Sequence, residues 1–402
     1  MTLGSLERRA LPIALVVYSA CALVARGGLA TGSHPGDVHH YSTFADLIRQ
    51  GQIPYRDFFM EYPPAALVPF LVPEIWPAHY HAVFKVTMFL CGAAVILVVA
   101  RIARPTLMPL LLVAVAPLVL GPVFLTRYDL WPALLAVAAL AALLDERWAI
   151  GTSLIALTIA AKLFAVALIP LAVIHIYRRG GRAALRRGVV AFIITSIIVW
   201  GPFLLLGPGG VRFSLREQLG RGLQIESLGA SVLLVADKLG LYDTHWVRGL
   251  SIDLGGHLPR AVGAATTLLE GAAILFVGWL YAARQSTRAR FVAAYAASAT
   301  AFVAFGKVLS PQFVIWLVPL VAVVADPLLI GLLIAVLVTT QLDVIYGDWG
   351  LRYVNWSVWL LALRNALLLA LFVELLRRIT RAARSRAGGP GLDQPASDAP
   401  PA

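Results

Sequence analysis

Apolar runs of membrane-spanning length alternate with shorter polar segments along most of the chain. A helix needs about 20 apolar residues to cross a bilayer, and the chain shows none of the alternation of a membrane barrel, so the runs predict helices. The runs predict spans near 10–30, 81–100, 106–125, 130–144, 188–206, 260–283, 291–305, 328–346 and 353–376. One more predicted span follows 291–305 and ends at Asp326.

The segment 148–177 does not fit a single span, because charged residues of the same predicted side flank it at 145–147 and 178–187. Two short helices with Lys162 at their tip resolve this conflict. Each helix of roughly 14 residues reaches about 21 Å into a core of about 30 Å. Lys162 is therefore expected below the surface, at the floor of a crevice. The total becomes about twelve spans, some of them short or re-entrant.

Two long polar segments, 31–80 and 207–259, interrupt the apolar pattern. The first contains the sequence GDVHHYSTFADLIRQGQIPYRDFFMEYPP, followed by an apolar part, 65–77, that prolines break and that we expect along the interface or re-entering it. In the second, an i+4 stripe predicts an interfacial amphipathic helix. That stripe consists of Val211, Leu215, Leu219 and Leu223.

The composition places the chain among membrane proteins. Hydrophobic residues make up 60% of it, charged residues 13%, and the mean hydropathy is +0.82. We predict one all-α polytopic membrane domain over 1–386 and a disordered tail rich in Pro, Gly, Ala and Ser over 387–402. The first apolar run resembles a signal peptide, but we expect an uncleaved helix because many spans follow it.

The net charge of +12 reflects orientation rather than a nucleic-acid partner. Lys and Arg concentrate in short loops on one predicted side, whereas acidic residues concentrate on the other, which is the positive-inside pattern. Both termini are therefore expected in the cytoplasm, and both long polar segments outside it. The two cysteines, Cys21 and Cys91, lie within apolar runs and indicate neither a disulfide framework nor a metal cluster.

Asp37 is the first candidate for chemistry, since it follows the first span closely and is held near the membrane surface. A carboxylate there suits a general base that takes a proton from an attacking hydroxyl. The alternative is an N-cap for the helix that begins at Val38. Asp57 and Glu61 are further candidates on one helical face, and their alternative is pairing with Arg56 inside the loop.

Lys162 and Lys307 each lie between two short apolar segments at the outer boundary. A cation at that depth is unfavourable unless it meets an anion, and a lipid phosphate is one such anion. The alternative is snorkelling of each lysine to the headgroups. Arg127 joins them as a third cation, although Arg127 and Asp129 could instead form a self-paired turn.

Charged residues within spans give weaker indications. Glu270 and Arg364 lie mid-span, where a functional role and a mutual structural pair fit equally well. His39 and His40 are adjacent, but two neighbouring histidines without further ligands are a weak indication of a metal site. We predict neither a metal nor a cofactor.

Five strings, in order from residue 37 to 319, carry a resemblance. The first combines Asp37 and Tyr41 with PYRD at 54–57 and EYPP at 61–64. TRYDLWPALLA (126–136), AAKLFAVALIP (160–170), RGLQIESLGAS (221–231) and GKVLSPQFVIWLVP (306–319) follow. Together they resemble GT-C membrane glycosyltransferases, and most closely the actinobacterial members of glycosyltransferase family 87.

The resemblance implies a GT-C-like fold in a bacterial plasma membrane and an active site on the extracytoplasmic face. It further implies transfer of a sugar, often mannose, from a polyprenyl-phosphate donor to a glycolipid or polysaccharide acceptor. Its general base maps onto Asp37, and its phosphate-binding cations map onto Lys162, Lys307, Arg127 and Arg221. Further sugar or acceptor contacts map onto Tyr41, Tyr55, Asp57, Glu61, Tyr62, Asp129, Gln224, Glu226 and Gln312.

One departure and two rival functions accompany the resemblance. The family string KLYP reads Lys162-Leu163-Phe164-Ala165 in this chain, without its Tyr and Pro, so the local helix geometry can differ. A secondary transporter would instead place its functional polar residues near the midplane at a repeat interface. An inactive family member would bind lipid without catalysis.

Overall fold

Apolar helices make up most of the computed structural model, which describes residues 9–32, 36–103, 106–248, 251–346 and 355–381. Within these ranges five helical segments are long and apolar enough to cross a membrane, and six shorter apolar ones have 10–17 residues. The predicted tail, 387–402, lies outside the described residues.

The helices, in chain order, are α1 Ala10–Val24, α2 Val38–Arg49, α3 Leu67–Leu71, α4 Tyr80–Ala103, α5 Leu107–Leu120, α6 Pro122–Thr126, α7 Leu130–Leu144, α8 Trp148–Ala161, α9 Ile169–Leu206, α10 Pro208–Leu219, α11 Leu228–Lys238, α12 His257–Ala282, α13 Arg288–Phe305, α14 Val314–Ala322, α15 Pro327–Tyr346 and α16 Asn355–Arg381. Short 3₁₀ turns add Pro64–Ala66, Val72–Ile75, Pro77–His79, Leu163–Leu168 and Pro311–Phe313.

The apolar runs and the observed helices agree closely over much of the chain. Helix α7 has the predicted bounds, 130–144, and α4 covers the predicted span 81–100. The predicted span 106–125 divides at Gly121 into α5 and α6. These helices indicate a multi-pass membrane protein. The total of twelve spans stays a prediction.

The region around Lys162 differs in part from its prediction. Helix α8 ends before Lys162 and a 3₁₀ turn follows it, so two short helical pieces flank the lysine as expected. The arginine-rich stretch 178–187 contains the expected reversal of the chain, but as a tight turn rather than a long loop. Within α9, Gly181 has a non-helical backbone at φ 70° and ψ −168°, which separates two helical pieces. Gly180 lies against Trp148 at the start of α8, and Trp200 packs beside Ala161 at the end of α8, so the two pieces run in opposite directions. Glycine adopts a positive φ without the clash of a Cβ, so one residue makes the turn.

A three-stranded antiparallel sheet in the segment 207–259 departs from the all-α prediction. Its strands β1 Leu223–Gln224, β2 His245–Arg248 and β3 Ile252–Gly255 lie in the order β1-β3-β2. Leu223 pairs with Leu254, and both pack with Leu234 against Val358 of α16. Strands of two to four residues are shorter than the usual five or six and leave almost no alternation in the sequence.

The predicted amphipathic helix is present as α10, but its stripe is not continuous. Val211 is buried and Leu215 is partly buried against the core. Leu219, at the end of the helix, is 71% exposed, and Leu223 belongs to β1. The predicted stripe therefore includes one residue, Leu223, that lies beyond the end of the helix.

Charged side chains gather at the end of the helix bundle opposite to Lys162. Arg101 at the end of α4 lies 2.7 Å from Asp145, which follows α7, and Arg179 of α9 lies 2.6 Å from Glu146. Farther along the chain, Arg378 of α16 lies 2.8 Å from Asp326. These pairs join the segments that the sequence assigns to one side of the membrane.

The segment 36–64 packs on the bundle through stacked aromatic rings. The Tyr41 ring stacks on Phe70 with centroids 4.3 Å apart and meets the rings of Tyr62 and Tyr128 edge-on at 5.7 Å. Aromatic pairs in these orientations stabilise a structure beyond their buried area. The cluster joins the polar segment to Tyr128, the residue between Arg127 and Asp129.

Gly210 of α10 lets this helix approach the segment 36–64. A Cβ on Gly210 would overlap the carbonyl oxygen of Tyr55, whereas a Cβ on the neighbouring Gly209 would meet open space. We expect Gly210→Ala to destabilise the fold by about 1–3 kcal/mol, the usual effect of overpacking. Thermal unfolding in detergent measures the difference. Gly209→Ala is the control, and equal Tm values for the two variants would contradict this packing.

Candidate active site

Asp37 lies at the N-cap position of α2, but its side chain makes no capping hydrogen bond. Its carboxylate instead forms an ion pair with Arg127, which precedes α7. The Asp37 side chain is 35% exposed, whereas that of Arg127 is 14% exposed. Asp37 therefore presents a carboxylate to solvent, held by a cation from a segment 90 residues away (127 minus 37).

Asp129, two residues after Arg127, is fully buried. Its Oδ1 accepts a hydrogen bond from Trp316 Nε1 at 2.8 Å and lies 3.2 Å from Lys162 Nζ. Its Oδ2 has no hydrogen-bond partner among the described residues. The ion pairs of Arg127 and Asp129 are thus made with other segments, and the alternative of a self-paired turn is wrong.

Lys162 occupies the break between α8 and the following 3₁₀ turn, with an extended backbone at φ −158° and ψ 128°. Its ammonium lies 4.5 Å from the ring centroid of Tyr128 and 5.6 Å from those of Phe313 and Trp316. Such contacts favour a cation in a desolvated place. An ammonium has three donors and Asp129 uses one of them, so Lys162 retains donors for a ligand.

Arg221 is the third cation of this group. It acts electrostatically on Lys162 and on Glu61, so it lies near both of them. Its Nε is buried and has no hydrogen-bond partner within the described ranges. Arg127 also acts on Lys162. We call Arg127, Lys162 and Arg221 the cation cluster; its members come from three separate stretches of the chain.

Lys307 and Gln312 lie beside this group rather than in it. The Lys307 ammonium donates to the Leu219 carbonyl at 2.8 Å and acts electrostatically on Glu270 of α12. Gln312 is half-buried in the 3₁₀ turn before α14. The structure therefore does not bring the two predicted lysines together.

The tyrosines of the first polar segment form its packing. Tyr41 and Tyr62 belong to the aromatic cluster, where burial raises the pKa of the Tyr62 hydroxyl. Tyr55 is buried with a left-handed backbone, φ 65°, and its hydroxyl donates to the Tyr62 carbonyl at 2.5 Å. These three tyrosines therefore stabilise the packing of the segment 36–64.

Asp57 and Glu61 have different surroundings. Asp57 accepts two hydrogen bonds of 2.8 Å from Arg56 and one from the Ile53 amide, and the Arg56 guanidinium lowers the pKa of Asp57 to about 2. This is the loop-internal pairing that the sequence left open. Glu61 lies 3.6 Å from His40 Nε2. Burial acts to raise the pKa of Glu61, but interactions with His40 and Tyr62 outweigh it and lower that pKa.

Gln224 at the end of β1 and Glu226 in the turn that follows are both buried. The Gln224 carboxamide oxygen accepts from the amides of Glu226 at 3.1 Å and Leu309 at 3.2 Å. Glu226 Oε2 lies 2.9 Å from Arg364 Nη1 of α16. The partner of Arg364 is therefore Glu226, so the alternative of a mutual pair with Glu270 is wrong.

The sequence did not reveal the partners of two residues in this region. Trp316 lies within the string GKVLSPQFVIWLVP, but its hydrogen-bond partner Asp129 lies 187 positions away. Arg364 stood out as a charge within an apolar run, but its partner lies 138 positions away. Among the described residues no group of three His, Cys, Asp or Glu side chains could hold a metal ion.

The bond from Trp316 to Asp129 gives a stability prediction. Trp316→Phe keeps an aromatic ring beside Phe164, whose ring stacks on Trp316 at 4.3 Å, but removes the donor to a buried carboxylate. We expect a loss of about 1.5–3 kcal/mol, the usual value for a hydrogen bond to a charged group. Thermal unfolding in detergent measures it, and an unchanged Tm would show that Asp129 does not depend on this donor.

The arrangement can hold an anion and remove a proton. Three cations lie where α7, the 3₁₀ turn after α8 and β1 begin. A partly exposed carboxylate, Asp37, pairs with one of them. Preorganised cations stabilise developing negative charge, and a nearby carboxylate accepts a proton.

One family comparison bears on this arrangement. The model of a family described as glycosyltransferase family 87 matches residues 59–311, which is more than half of the chain. All three members of the cation cluster lie within that range, whereas Asp37 and Arg364 lie outside it. A search of curated proteins finds no match to the chain.

Proposed function

Because this chain belongs to glycosyltransferase family 87, we propose that it transfers a sugar from a polyprenyl-phosphate donor to an acceptor hydroxyl. The family confirms the resemblance seen in the motifs and makes the chain a glycosyltransferase. A sugar donor, an acceptor and the bilayer are its general partners. The lipid-linked donor, mannose as the sugar, and a glycolipid or polysaccharide acceptor are the specific parts of the proposal.

One observation carries the lipid-linked donor. The cation cluster contains a lysine that is only 16% exposed and lies at a break between apolar helices, beside aromatic rings. A cation in such a place favours an anion that arrives from the membrane. A phosphate attached to a polyprenyl chain combines that charge with a tail that dissolves in lipid.

The reaction follows from the positions of Asp37 and the cation cluster. The acceptor oxygen attacks the anomeric carbon, forming a new C–O bond while the bond from that carbon to the phosphate oxygen breaks. Asp37 takes the acceptor proton. Polyprenyl phosphate leaves as an anion whose charge the cation cluster stabilises, so no general acid is required. One displacement inverts the anomeric configuration.

Exposure suggests which side chains reach the sugar. Glu61 interacts with Arg221, and Gln312 precedes Phe313, whose ring centroid lies 5.6 Å from the Lys162 ammonium. Both side chains are partly exposed and suit contacts with sugar hydroxyls. Tyr41 and Asp129 are buried and act by supporting neighbouring residues. Asp57 is held by Arg56, so we place it in the loop's own structure.

The proposed side of the membrane is extracytoplasmic. The end of the bundle opposite to Lys162 carries the arginines of the short loops, among them Arg101 and Arg179. Positive loops favour the cytoplasm. The cation cluster and Asp37 then face outward, in a bacterial plasma membrane with both termini inside.

The test uses membranes from cells that express the chain, supplied with radiolabelled polyprenyl-phospho-mannose and its hexose analogues. We expect label to move from the donor fraction into an envelope glycolipid or polysaccharide. The lipid extract of a deletion strain identifies the acceptor as the species that lacks the sugar. Substrate flux in proteoliposomes without transfer would favour a transporter, and donor binding without transfer would favour an inactive lipid-binding protein.

A further inference from the structure

Arg364 is a buried arginine of α16, beyond the range that the family model matches. Its Nη1 lies 2.9 Å from Glu226 Oε2, and its Nη2 donates to the Glu226 carbonyl. The next residue, Asn365, donates to the same carbonyl at 3.2 Å and to Ser231 Oγ at 3.1 Å. Two side chains of α16 thus hold Glu226 by both its carboxylate and its main-chain carbonyl.

The turn that contains Glu226 is linked to the cation cluster through a few residues of the chain and through hydrogen bonds. Gln224 joins Glu226 to the Leu309 amide, which fixes the turn against the 306–310 segment. Arg221 lies three residues before Gln224 on the same chain. A displacement of Glu226 would therefore be passed on to Arg221.

Glu226 also interacts electrostatically with Arg127, the cation that pairs with Asp37. Its carboxylate thus has two arginines within range, Arg364 at 2.9 Å and Arg127 farther away. With Arg364 in place, the charge of Glu226 is matched locally. Without Arg364, the Glu226 carboxylate would interact more strongly with Arg127 and compete with any other anion that binds Arg127.

We infer that Arg364 is a positioning residue of the donor site, because its hydrogen bonds to Glu226 keep that carboxylate from Arg127, whose five donors then serve Asp37 and the donor phosphate. The inference rests on the proposed function and adds a residue from the last helix to it. It also gives Glu226 a role different from the sugar contact that the sequence suggested.

Asp343 of α15 makes the arrangement testable. Its Oδ2 lies 3.9 Å from Arg364 Nη1, and its Oδ1 has no hydrogen-bond partner among the described residues. When Glu226 is replaced by Gln, Arg364 therefore still has a carboxylate nearby. Glu226→Gln is expected to fold, and to leave the donor KM unchanged or lower.

The experiment compares donor KM, kcat and Tm for purified full-length variants with polyprenyl-phospho-mannose. We expect Arg364→Met to raise the donor KM by about tenfold, a usual size for coupling between neighbouring charges, while kcat changes little. Arg364→Lys keeps a cation beside Glu226 and should retain a near wild-type KM. The double variant Arg364→Met with Glu226→Gln should recover the wild-type KM.

The matched control is Arg377→Met on the same helix, where the arginine is 61% exposed and pairs with Glu374 at the opposite end. It should change neither KM nor kcat. A merely structural role for Arg364 would lower Tm in Arg364→Met without changing KM, and would overturn the inference.

The single Glu226→Gln variant keeps the test decisive if Arg364→Met does not fold. A donor KM that rises in Glu226→Gln would show that Glu226 contacts the substrate and would overturn the inference. A wild-type protein that neither binds nor uses any polyprenyl-phospho-sugar would overturn the proposed function, and with it this inference. Wild-type transfer with unaffected variants would overturn the inference alone.

Discussion

Asp37→Asn is expected to lower kcat for sugar transfer by about 10²- to 10⁴-fold, the usual contribution of a general base. The amide keeps the size of the side chain and a hydrogen-bond acceptor for Arg127, but it cannot take up a proton at neutral pH. Because Asp37 is at the surface and does not cap α2, the protein level should not change. The measurement is initial transfer rate per amount of folded protein.

The control for this variant is Asp46→Asn on the same helix. Asp46 is 49% exposed and pairs with Arg49 at 2.7 Å, three residues away. It should retain wild-type transfer. If Asp37→Asn also retains full transfer at an unchanged protein level, Asp37 is not the base.

Lys162→Met is the second large effect, and it acts on both stability and transfer. Asp129 is fully buried, so removal of its cation leaves an uncompensated charge, which typically destabilises a protein by about 3–5 kcal/mol. Loss of one donor to developing charge lowers kcat by about 10²- to 10³-fold. Thermal unfolding and transfer assays report the two effects separately.

The double variant Lys162→Met with Asp129→Asn separates the two roles. Removal of both charges should restore most of the lost stability, since no unpaired ion remains. Transfer should stay low because the cation is still absent. Lys238→Met, at the exposed end of α11, is the control and should behave as wild type. Recovery of transfer in the double variant would show that Lys162 serves only to neutralise Asp129.

The sequence predicted the elements that depend on local hydrophobicity. Helix α7 begins and ends at the predicted residues, because a run of apolar residues between charged ends has few alternatives in a membrane. Lys162 also lies between two short helical pieces as expected, because the charges on both sides of 148–177 excluded a single span.

The sequence failed where one residue or a distant partner decides the structure. Gly181 shortens the predicted loop to a tight turn between two helical pieces, since the arginines around it are compatible with helix. The strands β1 to β3 carry too few residues to show a pattern. Composition therefore could not distinguish them from loop.

The candidate site divides in the same way. Asp37, Arg127 and Lys162 stood out as candidates because charged residues lie there beside apolar runs. Their pairing was not readable from the sequence, because Asp129 lies beside Arg127 in the chain but meets Lys162 in space. The link from Glu226 to Arg364 depends on the packing of α16 against the turn after β1, which periodicity does not encode.

The most direct test of the donor is transfer by the purified protein in a defined bilayer, with either labelled polyprenyl-phospho-mannose or the labelled nucleotide sugar. We expect labelled product from the lipid-linked donor, with one polyprenyl monophosphate released for each sugar moved, and none from the nucleotide sugar. Product formed from the nucleotide sugar alone would contradict this expectation.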